Sequence, residues 1–281
     1  MIHVASHKHT LLIRSLWKLV FRDTEPFLEL YFKEMYKPEQ TVVSMEGDML
    51  CATMQLLPYD FVLHGEKYKA VYIFAVMTAP AFRNQGHMKR MFEFALKELA
   101  QRDIDFVFLI PQTPDLIIMY DKLGFTPAFK QSQKNVQLPL SSNNLIIPSS
   151  TDAYAFYNKA MQNKASILQS KSQFDFITNI FRQEGGELYA VYENQQIQAF
   201  CFVLPQLNEL RILDLVSVDD KYSQLLLGAL HTKYKVDTAV VSTYVDDAEL
   251  KPNIAMVYIL QPTKISLTDL DHAYLSLMMN E

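Results

Sequence analysis

The sequence predicts a mixed α/β (α+β) fold: a mixed central β-sheet flanked by helices, built twice in tandem. Three observations carry that prediction. From Tyr68 to Phe129 the pattern runs strand, helix, strand, helix, strand, which calls for a parallel pairing. The run Ala70-Val-Tyr-Ile-Phe-Ala-Val-Met77 is almost wholly apolar, as a strand covered on both faces must be. The same order of elements returns after residue 150, although without residue-level identity.

The elements follow in order. Residues 10–21 and 24–36 read as helices, the second capped by Asp23 or Thr24 with Pro26 in its first turn. Thr41–Met45 and Leu50–Leu57 read as a hairpin turning at Gly47-Asp48, and Val62–Gly65 and Tyr68–Thr78 as a second strand pair. Gly86–Arg102 places Met88, Met91, Phe92, Ala95 and Leu99 on one helical face. Asp105–Ile110 is a short buried strand, Pro114–Leu123 a helix ended by Gly124, and Phe125–Phe129 another strand. Residues 139–150 concentrate Ser, Asn and Pro and read as a linker between a domain at 1–138 and a second at 151–281. In that second half, helices near 151–163 and 173–184 precede strands at Leu188–Tyr192, Ile197–Leu204 and Leu210–Val218. A helix over Ser223–Lys235 and a strand at Thr238–Tyr244 close the repeat.

Composition narrows the function. With 49% hydrophobic and 20% charged residues, 281 residues can bury one large or two ordinary cores. A net charge of −5 disfavours a general nucleic-acid binder, which is normally basic. Residues 1–140 carry 16 Lys/Arg against 15 Asp/Glu, and residues 141–281 carry 10 against 16, so the excess of acid lies in the second half. Cys51 and Cys201, both in apolar strand-like runs, are expected as buried free thiols of a cytoplasmic protein. Arg14 and Lys18 interrupt the amphipathic segment 11–21, so neither a signal sequence nor a membrane span is expected. The seven histidines show no metal-ligand spacing, and no metal is expected.

The stretch Ala75-Val-Met-Thr-Ala-Pro-Ala-Phe-Arg-Asn-Gln-Gly-His-Met88 concentrates the chemistry. It reads as a strand, a proline stop and a glycine-bearing loop that opens a helix. Backbone N–H groups there converge at the positive end of a helix dipole, which makes an anion site, phosphate being the usual anion. The matching junction of the second half, Val218-Asp-Asp-Lys-Tyr-Ser223, has no glycine and two carboxylates. Those charges would repel a phosphate, so that copy should lack the site.

Arg83-Asn-Gln-Gly-His-Met88 resembles the R/Q-x-x-G-x-G/A signature of the GNAT N-acetyltransferases, with Met88 in place of the last Gly or Ala. Tyr120-Asp-Lys-Leu-Gly-Phe125, farther on, is similar to that family's Y-x-K-x-G-F. The resemblance covers about residues 40–130, and the tandem order resembles the enhanced-intracellular-survival type, whose third domain 281 residues do not accommodate. Thr113 stands where the family often has Asn. The resemblance implies the GNAT fold with a degenerate GNAT-like second domain, acetyl-CoA as co-substrate, and direct transfer to a primary amine. It places the cofactor along Val76, Met77 and Thr78, with its pyrophosphate on Arg83, Asn84, Gln85, Gly86, His87, Met88 and Lys89. It gives the Met77 backbone N–H an oxyanion role and Tyr120 that of general acid on the departing thiolate.

Each residue also has an ordinary reading. Gly86 can merely start a helix, Tyr120 can be a core tyrosine, His87 a solvated loop residue, and Gly124-Phe125 a cap followed by a core aromatic. Glu25, Glu29, Asp60 and His64 are candidate bases that read equally as surface groups. The acceptor is expected to be a small-molecule or peptide amine, with neither nucleic acid nor membrane as partner and with a homo-oligomer open. The alternatives are a non-catalytic acyl-CoA-binding regulatory module and a tandem GNAT-fold aminoacyl transferase.

Overall fold

Two sheets organise the chain, seen here in a computed structural model that describes residues 1–129, 131–140, 146–243, 250–251, 255–271 and 273–275. It opens with β1 (Ile2–Val4), α1 (Thr10–Val20) and α2 (Glu25–Glu34). Thr24 caps α2 by accepting from the Phe27 N–H, and Pro26 occupies the first turn, where a missing N–H leaves nothing unpaired. Then come β2 (Thr41–Glu46), β3 (Met49–Leu63), β4 (Glu66–Thr78), α3 (His87–Ala100), β5 (Phe106–Leu109), α4 (Pro114–Asp121) and β6 (Thr126–Ala128). The chain continues through β7 (Gln131–Gln137), α5 (Ser150–Met161), β8 (Ser166–Leu168), α6 (Lys171–Gln183), β9 (Glu187–Glu193) and β10 (Gln196–Pro205). β11 (Leu210–Ser217), α7 (Asp220–Tyr234), β12 (Thr238–Thr243), β13 (Leu250–Lys251), β14 (Ala255–Ile259) and α8 (Leu267–Asp271) complete it.

The first sheet runs β1-β2-β3-β4-β5-β14-β6, with β4 and β5 parallel and the neighbours on either side antiparallel. The second runs β13-β7-β12-β11-β10-β9, with β11 and β12 parallel. Both are mixed sheets flanked by helices. β3 does not break at Leu57 as the sequence reading had it. Leu57, Tyr59 and Phe61 are buried while Pro58 and Asp60 face solvent, so the period of two carries one strand through the proline. α3 lays Met91, Phe92, Ala95 and Leu99 onto the first sheet, where they join Ile73 and Val107 in one apolar cluster.

The two compact units divide the chain differently from a cut at residue 138. One is Met1–Phe129 with Asn253–His272, the other Lys130–Pro252 with Ala273–Glu281. β7, which follows the first unit in sequence, pairs with β12 in the second sheet. β14, which follows the second repeat, enters the first sheet between β5 and β6. Each sheet thus receives the strand beside its parallel pair from the sequence that follows the other copy. The expected linker is also part structure: Ile146 bridges Ala190 at the edge of β9, and Ser149 caps α5. Residues 141–145 lie outside the described residues. The expected strand at Thr238–Tyr244 is described only as far as Thr243.

Candidate active site

β4 positions the site by outrunning its neighbour. The β4–β5 register ends at Tyr72↔Phe108, yet β4 continues to Thr78, so its last residues stay paired with β3 but run on without β5 alongside. Within that free stretch Ala75 has φ +47°. Gln55 pairs with Phe74 and Thr53 with Met77, so Ala75 and Val76 together oppose the single residue Met54, which makes a β-bulge. A non-glycine residue in the left-handed region costs on the order of 1–3 kcal/mol and persists where surrounding structure enforces it. The bulge turns the backbone of Val76, Met77 and Thr78 out of the regular alternation. Met77 is buried, and Val76 and Thr78 are half-buried.

β4 then delivers the chain into the anion loop. The Ala79 N–H donates to the Cys51 carbonyl at 2.8 Å, and a short 3-10 turn, Pro80–Phe82, leads to Arg83 in extended conformation. Asn84 (φ +62°) and Gly86 (φ +77°) are both left-handed. Gly86 is the N-cap of α3 and offers no side-chain oxygen, and the first turn holds no acidic residue. By contrast α2, α5, α6 and α7 are each capped by a Thr, Ser or Asp side chain. The start of α3 therefore presents N–H groups that an anion can satisfy. The loop is braced from beneath: Gln85 Nε2 donates to the Ala81 carbonyl (2.9 Å), Arg90 Nη1 to the Gln85 carbonyl (3.0 Å) and Arg83 Nε to the Thr78 carbonyl (3.4 Å). Arg83, Asn84, Gln85, Gly86, Lys89 and Arg90 are exposed and Met88 is half-buried, so three cations surround the loop.

His87 is placed differently from either reading of it. Its ring is 3% exposed, with Nδ1 2.9 Å from Ser44 Oγ and its face edge-on to Phe82. The side chain points into the β2–β3 hairpin, which leaves only its backbone N–H for an anion.

Tyr120 sits on α4, 5% exposed, with Phe92 at 5.6 Å and Phe125 at 6.1 Å between ring centroids. It shares one apolar cluster with Ile73 and Leu109, against which Val76 also packs. Burial pushes its hydroxyl up to about 12, and it is a protonated donor at neutral pH. Gly124 ends the turn after α4 at φ +88°, and a Cβ there would stand 3.1 Å from the Tyr258 ring of β14.

The proposed bases separate. His64 and Asp60 lie at the β3–β4 turn, where Asp60 pairs with Lys69 and Leu63 with Glu66. At about 3.3 Å per residue, the nine steps from Glu66 to Ala75 put the turn roughly 30 Å from the bulge, and the six steps from Lys69 put Asp60 roughly 20 Å from it, so neither reaches the bulge. Glu25 is held by Arg14 and by Lys18, whose hydrogen bond lowers the carboxyl below its usual value, making it a weaker base. Glu29 is an exposed residue of α2.

The second unit repeats the strand and discards the loop. β11 carries Asp214 at φ +48°, and its register with β10 skips at the equivalent place, from Phe202↔Leu213 to Phe200↔Val216. Asp214 is buried and accepts from the Tyr274 hydroxyl. The following helix, α7, is capped by its own Asp219, which accepts from the Lys221 N–H at 2.9 Å. A carboxylate of the chain therefore occupies the N–H end that α3 leaves open.

Residues 2–128 match the acetyltransferase (GNAT) domain family. The first unit is accordingly a GNAT acetyltransferase domain. The whole chain has the fold of two-domain GNAT proteins. A GCN5-related N-acetyltransferase from Anabaena variabilis superposes with TM-score 0.78 at 17% identity, over 92% of this chain and 72% of that one. Eis1 from Mycobacterium abscessus superposes with TM-score 0.73 at 13% identity, over 92% and 74%. A tandem GNAT protein of the clavulanic acid biosynthesis pathway does so with TM-score 0.54 at 10% identity, over 92% and 98%. No curated protein matches the sequence. Among the described residues no helix is long and apolar enough to cross a membrane.

Proposed function

We propose that the first unit transfers an acetyl group from acetyl-CoA to a primary amine by direct attack in a ternary complex. The observation that carries this reading is the pairing of two features: a helix start with left-handed Asn84 and Gly86 and no cap of its own, and a bulged strand that has left its neighbour. Acetyl-CoA, when bound, supplies an activated thioester. The N–H groups of residues 84–89 would hold its pyrophosphate, with Arg83, Lys89 and Arg90 adding charge. Val76, Met77 and Thr78 offer main-chain groups to its extended arm, and the Met77 N–H is the candidate oxyanion donor. The neutral amine forms the new C–N bond as the C–S bond breaks. Tyr120 protonates the departing sulfur, and the amine's surplus proton passes to solvent.

Calorimetric titration with acetyl-CoA tests the loop. The wild type should bind, and Gly86→Glu, which puts a carboxylate into the anion site, should not. The burial of Tyr120 favours a second reading, in which the domain binds acyl-CoA as a regulatory module and Tyr120 only packs the core. A panel of amines assayed by thiol release separates the two. If Tyr120 is the acid, Tyr120→Phe loses about 10²–10⁴-fold in turnover while acetyl-CoA binding is kept. Turnover unchanged in Tyr120→Phe removes it from the mechanism.

A further inference from the structure

Behind the anion loop, three metal-ligating side chains meet from three elements. Glu46 ends β2, Cys51 lies near the start of β3, and His87 is the first residue of α3. Their carboxylate oxygen, Sγ and ring nitrogen all lie within 4.8 Å of one another. The alignment has a backbone cause. Ser44 pairs with Ala52 and Met45 with Leu50, so Cys51 is the extra residue of a β-bulge and is re-aimed by it. His87 Nε2 is buried without a hydrogen-bond partner and stands 3.4 Å from Glu46 Oε1. The other ring nitrogen faces Ser44 Oγ at 2.9 Å, a hydroxyl that can accept from the free N–H of a ligating imidazole and fix its orientation.

We infer that Glu46, Cys51 and His87 form a binding site for a borderline-soft divalent cation such as Zn²⁺, which clamps the first residue of α3 to the β2–β3 hairpin. One thiolate, one imidazole and one carboxylate fill three positions of a tetrahedron and leave a fourth for water. Ligand atoms around tetrahedral Zn²⁺ stand roughly 3.3–3.8 Å apart. Closing the present cluster to that size asks little of Glu46, whose side chain is 52% exposed. Glu46, the exposed member of the cluster, also lines a cavity of about 750 Å³ with Met1, His3 and Asp48.

The protons balance. Arg90 Nη2 stands 3.3 Å from His87 Nδ1 and can only donate, so in the metal-free protein the ring proton sits on Nε2. Uptake of the cation moves that proton to Nδ1, from which Ser44 Oγ accepts it. The Cys51 thiol releases its proton to solvent. Arg90 gives up the imidazole and keeps the Gln85 carbonyl.

Cobalt(II) reads the site without reference to acetyl transfer. The purified, reduced, metal-free protein is titrated with Co²⁺ and followed by absorption. Coordination by Cys51 gives a near-ultraviolet thiolate-to-cobalt band and the strong visible bands of four-coordinate cobalt, at one ion per chain. Cys201, the other cysteine, is fully buried in the second unit, so Cys201→Ser should keep the band and Cys51→Ser should lose it. Ser44→Ala should keep the band and weaken affinity roughly 10–100-fold. Glu46→Gln, at an exposed position, should weaken binding without endangering the fold. No thiolate band in the wild type, a band that survives Cys51→Ser, or affinity unchanged in both Ser44→Ala and Glu46→Gln would each overturn the site.

Discussion

Tyr120 and Ala75 show how far single residues carry the chemistry. Ala75 is an unremarkable letter within an apolar run, yet it adopts φ +47° and re-aims the three residues after it. Tyr120 is recognisable by its place in Tyr120-Asp-Lys-Leu-Gly-Phe125, but its burial among Phe92 and Phe125 is a product of packing. That burial has a consequence for pH. The hydroxyl titrates near 10 in an unfolded chain and at about 12 in the folded one. The neutral form is favoured by folding, so this contribution is fully present below pH 10 and is lost as pH rises toward 12. Urea unfolding at pH 8 to 11 should show wild-type stability falling relative to Tyr120→Phe above pH 10, by about 1 kcal/mol at pH 11. A difference that stays flat through pH 11 would place the hydroxyl in water. The same shift means that Tyr120 remains an acid throughout the neutral range, so no alkaline loss of kcat/KM below pH 10 should trace to it.

Elements decide where those residues can act. The sequence placed nearly every helix of the first unit within a few residues, because capping residues and the 3.6-residue period are local signals. The bulges of β3, β4 and β11 have no such signal, since they arise from register with a neighbouring strand. Glycine is legible in a different way. Gly124 closes the turn after α4 because its φ of +88° excludes most side chains and because Tyr258 lies where a Cβ would be. Gly124→Ala should therefore destabilise the first unit by about 1–3 kcal/mol in thermal or urea unfolding. In the second unit, Asp219 performs for α7 the capping that α3 lacks, and Asp219→Ala should cost about 1 kcal/mol. It should not create a cofactor site, because Asp220 remains in the first turn, and calorimetry of the Gly86→Glu, Asp219→Ala double variant should show no acetyl-CoA binding.

On the scale of the whole molecule, the exchange of β7 and β14 makes the repeat interdependent. The cut at residue 138 expected from the linker composition removes β14 from between β5 and β6. It also removes Lys264, which pairs with Asp103 at 2.8 Å, and the 2.9 Å bond from the Leu260 N–H to the Asp105 carbonyl. A fragment of residues 1–138 should therefore lack cooperative thermal unfolding by circular dichroism. A fragment that unfolds cooperatively and binds acetyl-CoA would show that β14 is dispensable. The sequence alone determined the class of fold, the order of most elements though not β7 or β14, and the glycine-bearing loop that opens α3 and has no counterpart in the second copy, since each rests on local pattern, glycine and charge. Tertiary structure decided which strand fills which sheet, the bulge that turns Met77, the burial of His87 and Tyr120, and the distance of His64 from the site. Those depend on pairings between residues far apart in the chain, where hydrogen-bond register and packing choose among partners that are locally equivalent.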